Sequence, residues 1–173
     1  AFDVAPAINP RSTLIPISRI EGVTRALVAP SSPSAWLSTP PGHVIAGQAA
    51  VINLGKPATA IDKRQVAMFV TLGEHGADFG GGSRGGTIAK LRAALDDAKA
   101  WNVLSDADKV GNKGHYSIKR PAREALAPML AGNMPVVARV HRASDIRAAL
   151  AVAKDYGLKL VVAGGDEAWM LAD

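Results

Sequence analysis

The chain has 173 residues, 48% apolar and 20% charged, a globular composition long enough for one buried core rather than wholesale disorder. Its +5 charge is dispersed, with only Lys109 to Arg123 approaching a basic run, and this argues against a nucleic-acid-binding face. It contains no cysteine and no apolar run near the ~18 residues of a membrane span, which excludes disulfides, thiolate metal sites, cysteine nucleophiles and bilayer-crossing helices.

Residues 1–11 lack periodicity and read as an irregular lead-in. Ser12 or Thr13 suits the cap of a short helix through Leu14, Ile15, Ile17 and Ile20, with Pro16 in its first turn and Gly22 as its stop. Val23 to Ala29 reads as a strand, and the Ser- and Pro-rich stretch from Pro30 to Gly42 as a loop. His43 to Leu54 fits two short strands, or one strand bulged around Gly47 and Gln48. Ala67 to Leu72 is a continuous apolar run, which marks a buried strand.

The glycine-rich stretch 73–86 reads as a loop. A helix follows from near Thr87, with Ile88, Leu91, Leu95, Ala98 and Trp101 recurring on one face. Residues 102–120 are polar and loop-like. Pro121 suits the first turn of a helix carrying Leu126, Met129 and Leu130, which Pro128 should end or kink and Gly132 stop.

Val136 to Val140 is an apolar strand. Ser144 is a natural N-cap, Asp145 complements a helix N-terminus, and Ile146, Ala149, Leu150 and Ala153 form one helical face ending at Gly157. Leu158 to Ala163 is a second strand, after which Gly164-Gly165-Asp166 leads towards another helix. Strand, helix and strand in this space make a βαβ unit with parallel strands. The reading is an α/β fold on a parallel sheet, forming one domain over residues 1–173.

Function in such folds sits beyond the carboxyl ends of strands, and His141 stands there immediately after an apolar strand. A histidine in that place either serves as metal ligand or acid–base group, or hydrogen-bonds the loop. His43, His75 and His115 are isolated, with no His-x-His or His-Glu-x-x-His spacing. Glu74-His75 follows a strand, but adjacent side chains diverge, which favours a solvated loop. Gly80 to Gly86 offers backbone N–H groups to an anion yet lacks the Lys-Ser/Thr of a phosphate loop, which favours a flexible loop or lid. Ser31, Ser32 and Ser34 have no nucleophile-elbow context, and Asp166-Glu167 suits the dipole of the last helix.

The chain resembles the metal-dependent amidohydrolase superfamily, in particular its imidazolonepropionase-like and prolidase-like members. The residues that carry this are Asn9-Pro10-Arg11-Ser12, Ile15-Pro16-Ile17, Glu21-Gly22-Val23-Thr24, Ala29-Pro30 and Ile45-Ala46-Gly47-Gln48-Ala49-Ala50. The closing stretches are the most specific: Leu126-Ala127-Pro128-Met129-Leu130, Pro135-Val136-Val137, Val140-His141-Arg142-Ala143-Ser144-Asp145-Ile146 and Glu167-Ala168-Trp169.

The resemblance implies a (β/α)8 TIM-barrel-like fold, here incomplete, since a full barrel takes about 250 residues. It implies a divalent metal, zinc by preference, that activates water to hydrolyse an amide or related C–N bond of a small-molecule or peptide-like substrate. The family's ligands are a His-x-His pair on the first strand, a histidine on the fifth, often one on the sixth, and an aspartate on the eighth. His141 matches the fifth-strand histidine. The sixth-strand position is Gly164, which has no side chain to donate, and the first and eighth strands would lie outside these residues.

Two readings follow: the central part of a metal-dependent amidohydrolase, or an amidohydrolase-like scaffold without a complete metal site. An anion-binding module built on the glycine stretch is a third. The chain begins at Ala1 and not Met, so either something was removed or it is a piece of a longer protein, whose partners are then the remaining barrel segments or further copies of itself. The sequence leaves a cytoplasmic or an exported location equally open.

Overall fold

The computed structural model describes residues 3–32, 43–55, 60–112 and 114–172. Five strands form one mixed sheet in chain order: β1 (Arg25–Val28), β2 (Ile45–Asn53), β3 (Ile61–Thr71), β4 (Val136–Val140) and β5 (Leu160–Gly164). β3, β4 and β5 are parallel, as the βαβ pattern requires. β1, β2 and β3 pair antiparallel, which departs from an all-parallel sheet. Residues 54–60 join β2 to β3. That link is shorter than the dozen or so residues a parallel crossover needs. β2 is a single bulged strand, with a register shift between Ile45 and Gly47, where φ is +141°.

Among the described residues there are six α-helices: α1 (Leu14–Ile20), α2 (Gly73–Ala77), α3 (Arg84–Asn102), α4 (Asp106–Gly111), α5 (Arg120–Leu130) and α6 (Ala143–Tyr156). Alternation along the parallel strands sends Met68, Val70, Val136, Ala138 and Val140 to one face. There they bury Leu91 and Leu95 of α3, Leu126 and Met129 of α5, and Ile146 and Val152 of α6. Each such large side chain contributes about 1.5–3 kcal/mol of apolar burial. The opposite face is thinner: Ala49, Ala67, Phe69 and Val137 form a small cluster, with the Arg139 guanidinium 5.6 Å from the Phe69 ring centre. Leu150, expected on the buried face of α6, is exposed; Val152 takes that role.

The glycine-rich stretch is packed helix rather than an open loop. α2 and a 3-10 turn (Asp78–Gly80) precede α3, which starts three residues before Thr87 with Ser83 as its cap; the Ser83 hydroxyl accepts from the Gly86 N–H at 3.0 Å. A Cβ on Gly76 would stand 2.5 Å from the Thr71 carbonyl oxygen, and one on Gly80 or Gly86 would strike backbone. These glycines are there for close approach. Thr87 locks the joint, donating from its buried hydroxyl to the Gly76 carbonyl at 2.7 Å.

Other differences are local. The lead-in is anchored, with Val4 and Ala5 buried against Ala50 and the Val4 N–H donating to the Gln48 carbonyl. Ser105 caps α4 inside the polar stretch. Pro128 stands in the last turn of α5, which runs on to Leu130 with Leu126 and Met129 buried on either side of it. Between α3 and α5, the buried Arg123 guanidinium lies 4.2 Å from the Trp101 ring centre and 3.5 Å from that of Tyr116. Among the described residues, no helix is long and apolar enough to cross a membrane.

Candidate active site at the strand ends

The register of the parallel strands sets Thr71, Arg139 and Ala163 side by side. Two residues beyond Arg139, on the same alternation, comes His141. The carboxyl ends of β3, β4 and β5 therefore open together, and the residues that leave them meet. His75 comes from α2 after β3, His141 follows β4, and Asp166 follows β5.

The His141 Nδ1 lies 2.9 Å from Asp166 Oδ2. In the neutral imidazole tautomer whose Nδ1–H donates to this carboxylate, Nε2 carries the lone pair. The side chains are 44% and 74% exposed, so this bond orients the ring and adds little stability. The ring also rests over Gly164, whose φ is +94°. A Cβ there would stand 2.5 Å from the His141 Cε1. Glycine at the end of β5 is what lets the imidazole occupy this place.

Glu167 closes the strand-end loops. Its N–H donates to the His141 carbonyl at 3.0 Å, and its Oε2 accepts from the Ala143 N–H at 2.8 Å. α6 therefore begins at Ala143 with Arg142 as N-cap residue, and Glu167 performs the capping that Ser144 was expected to provide. Asp166 and Glu167 face His141 and α6 instead of serving the dipole of the last helix. Around them, Glu74 pairs with Arg142, and Arg84 Nη1 reaches both carboxylate oxygens of Asp145 at 3.1 and 3.2 Å.

The His75 and His141 ring centres are 5.6 Å apart, tilted at 45°. The sequence favoured a solvated loop for His75 and a helix-dipole role for Asp166; both follow the carboxyl ends of strands. His43 and His115 lie elsewhere and join no such cluster. Ser31 is exposed, Ser32 donates to the His43 carbonyl, and Ser34 falls outside the described residues. A cavity of about 1050 Å³ opens on the helix-covered side, lined by Val44, Ile45, Phe79, Ala94, Lys119 and Leu126 among others, but neither His75 nor His141 lines it. The histidine cluster at the strand ends therefore lies apart from this cavity.

The geometry fits His141 as a metal ligand, because a ligating histidine gives its other ring nitrogen to a carboxylate, as here to Asp166. Yet among the described residues no three His, Asp or Glu side chains converge into a group able to hold a metal ion. A complete centre needs donors from beyond these residues.

No protein-family model matches the chain, and no curated protein does. Among solved structures it is similar to an amidohydrolase from Thermotoga maritima MSB8, with a TM-score of 0.74 and 21% identity. The match covers 96% of this chain and 43% of that one, so the chain spans less than half of its neighbour's length. At this identity the likeness shows the fold: a mixed α/β sheet with parallel strands and helices, consistent with part of a barrel.

Proposed function

We propose that these residues form the middle of an amidohydrolase-like hydrolase, whose (β/α)8 barrel is completed by strands outside them. In this reading it hydrolyses an amide or related C–N bond of a small-molecule or peptide-like substrate at the strand ends. The observation that carries it is the oriented imidazole: His141 at the carboxyl end of a parallel strand, its Nδ1 held by Asp166, in a fold shared with an amidohydrolase.

His141 Nε2 is the ligand atom this chain offers to a divalent ion, preferably zinc. When bound, such an ion lowers the pKa of its water and polarises the scissile carbonyl. Asp166 fixes the tautomer and ring plane, and Glu167 fixes the backbone that carries the ring. The Glu74–Arg142 and Arg84–Asp145 pairs form a charged rim, where a polar substrate can be positioned.

Metal content and hydrolysis by the natural polypeptide test this reading. We expect bound metal and amide hydrolysis, both lost in His141→Ala. A polypeptide that carries no metal, or loses neither property on that substitution, rejects the assignment. Gly164 favours a second reading, a non-catalytic scaffold, because that position at the end of β5 has no side chain to offer a metal. Inactivity of the natural polypeptide after metal loading would decide for it.

A further inference from the structure

We propose that His75 and His141 together bind one divalent transition-metal ion, as a two-imidazole site within this chain. This deepens the hydrolase reading by adding His75, and shares only His141 with it. Two imidazoles on one zinc at a Zn–N distance of about 2.0–2.1 Å and a tetrahedral angle have ring centres about 5 Å apart. The observed ring-centre distance is 5.6 Å, and side-chain rotation at the two exits would bring both nitrogens onto one ion.

The available nitrogens agree. His141 presents Nε2 because Nδ1 is engaged by Asp166. The His75 ring makes no hydrogen bond seen among the described residues and lies against the His141 ring. Both backbones are held. α2 is seated by the close approach of Gly76 to Thr71 and by the Thr87 hydroxyl on the Gly76 carbonyl. Glu74, the residue before His75, pairs with Arg142, the residue after His141. On the other side of His141, Gly164 contributes no donor and Asp166 is engaged by Nδ1, which leaves His75 at the exit of β3 as the second imidazole. Neutral imidazoles select zinc, cobalt, nickel or copper over magnesium or calcium. Water or donors outside these residues take the remaining positions.

The test is calorimetric titration of the natural polypeptide that contains these residues with Zn²⁺, alongside Co²⁺ absorption spectra and imidazole ¹⁵N shifts. We expect one ion per chain, with shifts at both His75 and His141. Affinity should fall at least tenfold in His75→Ala, His75→Gln and His141→Ala, and stay unchanged in His43→Ala and His115→Ala. Circular dichroism confirms folding in each variant. Unchanged affinity in both His75 variants with loss in His141→Ala overturns the pairing and leaves the hydrolase reading standing. No binding by the wild-type chain, or binding that moves with His43 or His115, also overturns the pairing. The hydrolase reading is then decided separately, by amide hydrolysis of the natural polypeptide and its loss in His141→Ala.

Discussion

Strands β2 and β4 both flank β3, but they bring opposite ends to the same edge of the sheet. β4 arrives by its carboxyl end and delivers His141. β2 arrives by its amino end, with Ile45 paired to Val70, and delivers no member of the histidine cluster. The difference teaches where chemistry gathers in this fold. Each parallel strand adds its βα exit to one edge, so β3, β4 and β5 concentrate His75, His141 and Asp166 there. The antiparallel strands extend the sheet without extending the site.

The strongest way to break this comparison is to empty the core behind each half. Leu95, fully buried beneath the parallel strands, should lose about 2–5 kcal/mol on replacement by alanine, measured by urea unfolding. Leu27 on β1 is 49% exposed, and Leu27→Ala should cost less than about 1 kcal/mol. Equal losses would show that the antiparallel half carries as much of the stability.

The next largest effect concerns the glycines that lead into α3. Gly86→Ala drives a Cβ into the Gly80 carbonyl and should cost about 2–3 kcal/mol. Its neighbour Gly85 has open space around its missing Cβ, so Gly85→Ala should be neutral or stabilise by up to about 1 kcal/mol through helix propensity. Similar behaviour at both positions would return this stretch to the status of a loop.

Much of the parallel half is legible in the sequence, and the reason is physical. The βαβ unit from Val136 to Ala163 announces itself because an amphipathic helix must cross between two apolar strands, and Gly157 stops that helix in a left-handed turn at φ +66°. The glycine stretch misleads because composition records flexibility and not close approach. Gly76 and Gly86 are needed for what touches them, which only the fold supplies. The site is half legible for the same reason. His141 is marked by its own strand, whereas Asp166 and His75 belong to it only once three strand ends share an edge.

A smaller effect sharpens the site itself. Gly164→Ala should displace the His141 ring by filling the space beneath it, at about 1–2 kcal/mol for a side chain at positive φ. The His141 imidazole ¹⁵N shifts should report loss of the Asp166 bond. Unmoved shifts would mean that the ring does not rest on Gly164.

The smallest effect lies far from the strand ends. Burial, followed by the hydrogen bond to Asp96, raises the Tyr156 phenol above its ordinary value of 10.0. The folded chain then holds a proton that the unfolded chain releases, so stability should decline as pH rises above about 10. Tyr156→Phe should flatten that decline in alkaline melting curves.

The double contact of Glu167 has a consequence for motion. It grips the carbonyl of His141 and the first amide of α6 at once, so the exits of β4 and β5 cannot open one at a time. A swing of the β5 exit would bare the Ala143 amide to solvent and slacken the backbone under the imidazole in the same event. Hydrogen exchange at that one amide therefore reports how readily the whole corner opens and the imidazole loses its footing.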